Sequence, residues 1–507
     1  MSVQCISFLT TFVLAFGIEN SSATEDKDFK RVLRVGHPTA AVSQGYPFAR
    51  DEGGGIRAAI YDALTYIDSK GVLRGALAVD WENTDALTWT FRLRQGVKFS
   101  NGKTFRASAV EATFNELFDS DAYHPRVADV DTIDSFKSDG DYTFTIKTAK
   151  PDPLLPRRIS LIPIIEPLAW ADKGKALYSK NPVGTGPYNI EKWGPNNTRP
   201  VLVRSTSSWR KVMHFNRIEI NVLPDPASRI AGLISRNLDF AVGVGSDDLL
   251  FLQNSGYITR ILDSPNILSI ALRTVGNETS PILDIRVRQA MNYAVDKTAI
   301  VNLILSGTSR VANQPAVEGL AGYSAVSKPY NYDPDKAQSL LDDAGYPDGF
   351  KLNFSVYGGL LAGDTLIFQK VAQDLGAVGI EVELRQISFP EYVRRLFNAD
   401  WQDIDGFSLG WMNSTLWDPQ KAYEQFSCMY SAAFFCDPSM LPLINAARVE
   451  MNAKVREDLL ERITIKFTDQ AAALFLIEFS GIVAYDPKIE IGEFRLDGSV
   501  FESIMFY

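Results

Sequence analysis

Residues 87–117 read LTWTFRLRQGVKFSNGKTFRASAVEATFNEL. Leu87, Trp89, Phe91 and Leu93 alternate with polar neighbours, the period-two pattern of a strand with one buried face. Shorter alternations at 97–99 and 103–105 flank Ser100-Asn101-Gly102, where Asn and Gly tolerate the positive φ of a tight hairpin turn. From Arg106 the pattern changes, and residues 106–117 predict a helix. One stretch therefore carries a strand, a hairpin and a helix in succession.

The same alternation of elements extends outward. Residues 31–36 (RVLRVG) and 142–147 (YTFTIK) predict strands, and Ile56, Ile60, Leu64 and Ile67 form a helical stripe over 56–68. The Gly- and Pro-dense stretch 181–188 (NPVGTGPY) is a structured turn. Beyond it come a strand at 217–222, a helix at 226–235 and a long helix at 284–305. A short helix at 335–343 is stopped by Gly345 and Pro347. Residues 352–356, 367–375 and 381–385 read as a β-α-β unit, and 455–467 as an amphipathic helix. Interleaved elements of this kind predict an α/β protein with mixed sheets.

The chain has 507 residues, 46% hydrophobic and 22% charged, which is globular composition and length for about three domain-sized units. Lys and Arg total 51 against 61 Asp and Glu, for a net charge of −10 and a pI near 5.1. Nucleic-acid binders carry a basic footprint, so no nucleic acid is expected as partner. Only three histidines are present, His37, His124 and His214. That is poor material for metal or acid–base chemistry, and neither a metal nor a cofactor is expected. Residues 5–18 (CISFLTTFVLAFGI) form an uncharged apolar run, too short for a comfortable membrane span and followed by Ser21, Ser22 and Ala23. They predict a signal peptide over 1–23 cleaved near Ala23. Residues 1–4 carry no Lys or Arg, so a basic stretch is expected ahead of Met1. No other segment approaches 18 uninterrupted apolar residues, and the mature protein is expected to be soluble. Removing the leader takes Cys5 with it and leaves the pair Cys428 and Cys436, as an oxidising compartment favours.

Several motifs nearly appear. Residues 96–104 (GVKFSNGKT) imitate a phosphate-binding loop, but five residues separate Gly96 from Gly102 where four are needed, and the surroundings alternate as a hairpin. Gly53-Gly54-Gly55 lacks the preceding strand of a dinucleotide site. There is no G-x-S-x-G elbow and no H-E-x-x-H pair. Dispersed carboxylates leave a secreted hydrolase as the alternative of another class; the chain is not expected to be an enzyme.

Residues 60–64 (IYDAL), 75–82 (GALAVDWE), 87–117, 181–193 (NPVGTGPYNIEKW), 217–240, 284–307, 332–350 and 375–384 together resemble the dipeptide/oligopeptide/nickel class of periplasmic solute-binding proteins, family 5 of the receptors that serve ABC importers. The resemblance implies a two-lobed clamp. Residues 24–58, 183–266 and 482–507 would make lobe I, 59–182 an inserted subdomain of it, and 267–481 lobe II, with two hinge crossings. It implies a periplasmic receptor, a monomer when free, that binds a peptide or peptide-like solute and delivers it to permease and ATP-binding subunits. An oligosaccharide or opine-like solute is the rival within the class.

The implied ligand wall is residues 406–419 (GFSLGWMNSTLWDP). Peptide-binding members usually place there an Asp that takes the ligand's α-ammonium. This chain offers Asn413 and Ser414 at about that point, with Asp418 the nearest acid and Trp411 and Trp417 suited either to stacking on a ligand or to a core. His37, after the first strand, is a further candidate contact. Cys428 and Cys436 enclose MYSAAFF and are expected to form a disulfide, worth about 2–3 kcal/mol for so short a loop.

Overall fold

The structure, a computed structural model, describes residues 31–50, 55–211, 214–276, 278–359, 361, 363–401, 403–492 and 501–506. The expected leader, Cys5 and the Gly53-Gly54 pair lie outside the described residues. A mixed ten-stranded sheet runs through the molecule. At one end Phe350–Val356 pairs in parallel with Ile380–Gln386 and with Gly406–Ser408. At the other, Val32–His37 pairs in parallel with Arg217–Val222 and Phe240–Val242. Joining the two ends are the long antiparallel strands Ile258–Leu272 and Ala473–Tyr485. Their register shifts between Asp263 and Ile267, where the ladder is interrupted, and again between Leu268 and Ser269.

The cores change at that interruption. One core draws on Leu33 through Leu262 and returns with Val483, Tyr485 and Ile504. A small cluster around Leu238, Leu252 and Ile482 flanks it. Two others lie wholly within 267–477. The protein is thus two-lobed, with the lobes connected through two strands. Residues 59–182 bring an antiparallel four-stranded sheet that shares the first core.

The opening stretch forms as its pattern predicts. Thr88–Leu93 is a strand, the Phe99 N–H donates to Lys103 O at 2.8 Å, and Gly102 takes φ +81° at the turn. The helix is Ala107–Leu117, burying Val110, Phe114 and Leu117. The hairpin docks on the Gly/Pro turn, Ser100 N–H donating to Gly184 O. That turn sits so close to the chain at Ile60 that a Cβ on Gly184 would lie 2.0 Å from Ile60 O.

This contact overturns the helix expected over 56–68. The helix is only Ile56–Ile60, because the Ile60 carbonyl accepts from Gly186 N–H instead of continuing the helical ladder. Residues Thr65–Ile67 form a short strand. The long helix expected over 284–305 is also divided. Ile285–Ala294 ends at Val295 in extended conformation, and Asp296 restarts the chain by capping Ala299 N–H and donating its own N–H to the Asp374 carboxylate.

The restart leaves Lys297 buried, with Asn313 Oδ1 at 2.9 Å as its hydrogen-bond partner. Burial pushes the ammonium down to about 7. The unfolded chain therefore binds more protons than the folded one from about pH 7 to the ordinary lysine range, and stability rises with pH across that window. Unfolding free energy is expected to increase by about 2 kcal/mol more in the wild type than in Lys297→Met between pH 7 and 9. Parallel profiles in urea titrations of the two proteins would contradict this.

Candidate functional site

The segment after Gly406–Ser408 leaves the sheet beside the strand interruption. Trp411 and Ile267 exchange backbone hydrogen bonds of 2.9 and 3.1 Å. The Asn413 amide donates to Pro265 O and Pro315 O, both at 2.9 Å. Asn266 accepts from Ser414 N–H and donates to its hydroxyl. Asn413 and Ser414 thereby fasten the loop to the crossing strand.

Trp411 is fully buried, stacked on Phe426 at 3.8 Å between centroids and edge-on to Phe467. It is a core residue of the second lobe. Trp417 takes φ +49°, and its ring lies against Gly71 of the first lobe, where a Cβ would come within 2.1 Å of it. Asp418 is buried in a two-pronged ion pair with Arg456, at 2.6 and 2.8 Å, and caps Gln420 N–H. It does not stand open for a ligand ammonium. The ring of His37 is hydrogen-bonded to Thr39, and burial lowers its pKa. The disulfide Cys428–Cys436 closes its loop.

The lobes meet along a seam that includes this loop. Arg157 of the first lobe donates to Leu416 O at 2.9 Å and to Gly71 O at 3.1 Å. Lys421 Nζ reaches Asp129 at 3.2 Å, and Arg448 lies 3.9 Å from Asp131. These pairs rim a cavity of about 70 Å³ walled by both lobes, with Arg158 and Leu161 on one side and Leu416 and Glu424 on the other. Asp129 is buried. Burial opposes its ionisation, but Lys421, Arg50 and Arg126 outweigh it and hold its pKa below the usual carboxylate range.

Sequence reasoning singled out the loop as a candidate and did not identify the seam. Asp129 and Lys421 are 292 positions apart, and nothing local to either marks the other. Among the described residues no cluster of His, Cys, Asp and Glu is arranged to hold a metal ion, and no helix is long and apolar enough to cross a membrane.

Residues 72–432 match the family described as bacterial extracellular solute-binding proteins, family 5. The chain is 30% identical over 301 residues to the nickel-binding periplasmic protein of Escherichia coli strain K12, covering 57% of this chain and 56% of that protein. It therefore spans little more than half the length of that relative. It is 27% identical over 423 residues to the glutathione-binding protein GsiB of Pectobacterium atrosepticum, covering 79% of each. In fold it is similar to a peptide binding protein AppA, described as putative, from Clostridium difficile, with TM-score 0.84 and 18% identity over 94% of this chain and 100% of that one. NikA from Brucella suis, solved with Fe(III)-EDTA, gives TM-score 0.82 at 23% identity, again over 94% and 100%. The two-lobed architecture, the strands shared between lobes and the match over most of the sequence agree: the chain belongs to the family 5 bacterial extracellular solute-binding proteins.

Proposed function

We propose that the protein is the periplasmic receptor of an ABC importer, which closes on a peptide or peptide-like solute and delivers it to permease and ATP-binding subunits without making or breaking a bond. The observation that carries this reading is a cavity walled by both lobes, which two strands connect. The division into 24–58, 183–266 and 482–507, the insertion 59–182, and 267–481 is part of the proposal, supported by the change of core between Leu262 and Ile267. So are cleavage near Ala23 and the monomeric free state.

The contacts Arg157–Leu416, Lys421–Asp129 and Trp417–Gly71 span the lobes, so they belong to the closed form. Solute shifts the population toward that form only by binding it better. The commitment of Asp418 to Arg456 removes the loop's acid from ammonium recognition, and this favours the opine-like alternative over a peptide held by its amine.

A thermal-shift panel of dipeptides, oligopeptides, opines and oligosaccharides tests the reading. A true solute at one hundred times its Kd is expected to stabilise the protein by about 2.7 kcal/mol, saturably. Turnover of a panel member without saturable stabilisation would contradict it in favour of a hydrolase.

A further inference from the structure

We propose that the buried line Tyr46–His124–Glu116 is a pH-sensitive strut, which holds the first lobe's side of the seam in shape at neutral pH and releases it in acid. The strut belongs to the chain's own groups; its bearing on closure rests on the receptor reading above.

His124 and Tyr46 are both buried. The imidazole Nε2 lies 3.1 Å from Glu116 Oε1, and Nδ1 meets the Tyr46 hydroxyl. A carboxylate only accepts, so Nε2 carries a hydrogen. In the neutral ring Nδ1 is then bare and accepts from the Tyr46 O–H. Protonation keeps the Glu116 bond and inverts the other end, where Nδ1 becomes a donor facing a donor. The Tyr46 hydroxyl has no other hydrogen-bond partner among the described residues. Its hydrogen must therefore turn into a buried site walled by Phe48 and Trp170.

Burial disfavours the imidazolium most. Lys175, from the helix Pro167–Lys180, stands 4.4 Å from the centre of the Tyr46 ring and adds to that effect. Glu116, on the helix Ala107–Leu117, and Asp119 just beyond it favour the charged ring without outweighing the other two. The pKa of His124 thus lies below the ordinary histidine value. The strut's contribution is complete above about pH 6.5, and it is lost as pH falls through the folded-state pKa.

Tyr46 and His124 each begin a short segment, and the two segments are tied together as far as the seam. Arg126 Nε donates to Ala49 O at 3.2 Å, and Arg50 Nε to Pro125 O at 2.9 Å. Arg50 and Arg126 also both reach Asp129, at 2.9 and 3.2 Å. Asp129 ends the turn Pro125–Asp129 and receives Lys421 from the second lobe. The arginines stay charged, and Asp129, held below the usual carboxylate range, stays ionised. Of these ties, the one between Tyr46 and His124 changes state between about pH 5 and 7.

Nitrogen NMR of the full chain labelled at histidine, together with amide hydrogen exchange, tests this. The signal that vanishes in His124→Gln is expected to show Nε2–H with a bare Nδ1 at neutral pH, and to titrate below the ordinary histidine value. Exchange in peptides covering 46–50, 125–129 and 416–421, corrected for its intrinsic pH dependence, should be about fivefold faster at about pH 5.5 than at about pH 7.5. His124→Gln has an amide that accepts from Tyr46 and donates to Glu116 without titrating, and it should cut that ratio to below about twofold. Tyr46→Phe keeps the ring, removes the hydroxyl, and should cut the ratio likewise while raising the His124 pKa. If either variant fails to fold, the wild-type spectrum still decides the tautomer. An Nδ1–H ring at neutral pH, or the same exchange ratio in the wild type and both variants, would overturn the strut. Loosening confined to 46–50 and 125–129, with 416–421 unchanged, would overturn its link to the seam. No solute enters these measurements, so silence from the whole thermal-shift panel would overturn the receptor reading and not the strut.

Discussion

Asp418→Ala is expected to lower the free energy of unfolding by about 3–5 kcal/mol, the usual cost of removing one partner from a buried ion pair. Both carboxylate oxygens face Arg456, whose Nε is in turn held by Ala447 O at 3.0 Å. Burial alone would lower the Arg456 pKa, but the charge and hydrogen bonds of Asp418 outweigh it and raise it. The variant leaves a guanidinium in the interior without the carboxylate that hydrogen-bonds it. The double variant Asp418→Leu with Arg456→Met removes both charges and should recover most of the loss. Denaturant titration of the single and double variants checks this. A near-neutral single variant would mean that the pair opens to solvent, and that Asp418 is available to a ligand after all.

Trp411→Ala is expected to cost about 3–5 kcal/mol as well, by a different route. The indole fills a site enclosed by Tyr423, Phe426, Phe467 and Phe475, and its removal leaves a cavity that these rings cannot fully close. Trp411→Phe keeps a ring on Phe426 and should retain most of the stability. If Trp411→Ala instead melted like the wild type and lost only solute binding, the ring would belong to the ligand wall rather than to the core.

These two residues show what the sequence can and cannot carry. The strand at 88–93, the hairpin around Gly102 and the β-α-β unit beginning at Phe350 follow from local periodicity and turn chemistry, and they form as read. The failures share one cause, a distant partner. Ile56, Ile60, Leu64 and Ile67 are all buried, as a helical stripe requires, yet a glycine turn more than a hundred residues later takes the Ile60 carbonyl and ends the helix. The helix from Ile285 breaks where Asp374 captures the Asp296 N–H.

The site shows the same division. The loop at 406–419 stood out as a candidate ligand wall only through the family it resembles, and the direction each of its side chains faces was not legible. A tryptophan beside a cleft and a tryptophan in a core have the same letter. Asp418 looks like a free acid until Arg456, 38 residues on, is brought against it. Lys421 and Arg448 have no local pattern that marks them as seam residues, because their partners Asp129 and Asp131 lie in the other lobe.

In the receptor reading, two bodies joined by two strands close on a small solute. Small-angle scattering of the purified protein, before and after adding the solute that raises its melting temperature, tests this most directly. A smaller radius of gyration and a shorter maximum dimension are expected on saturation, with both reversing when the solute is dialysed away. Scattering curves that superimpose with and without a saturating, stabilising solute would contradict it.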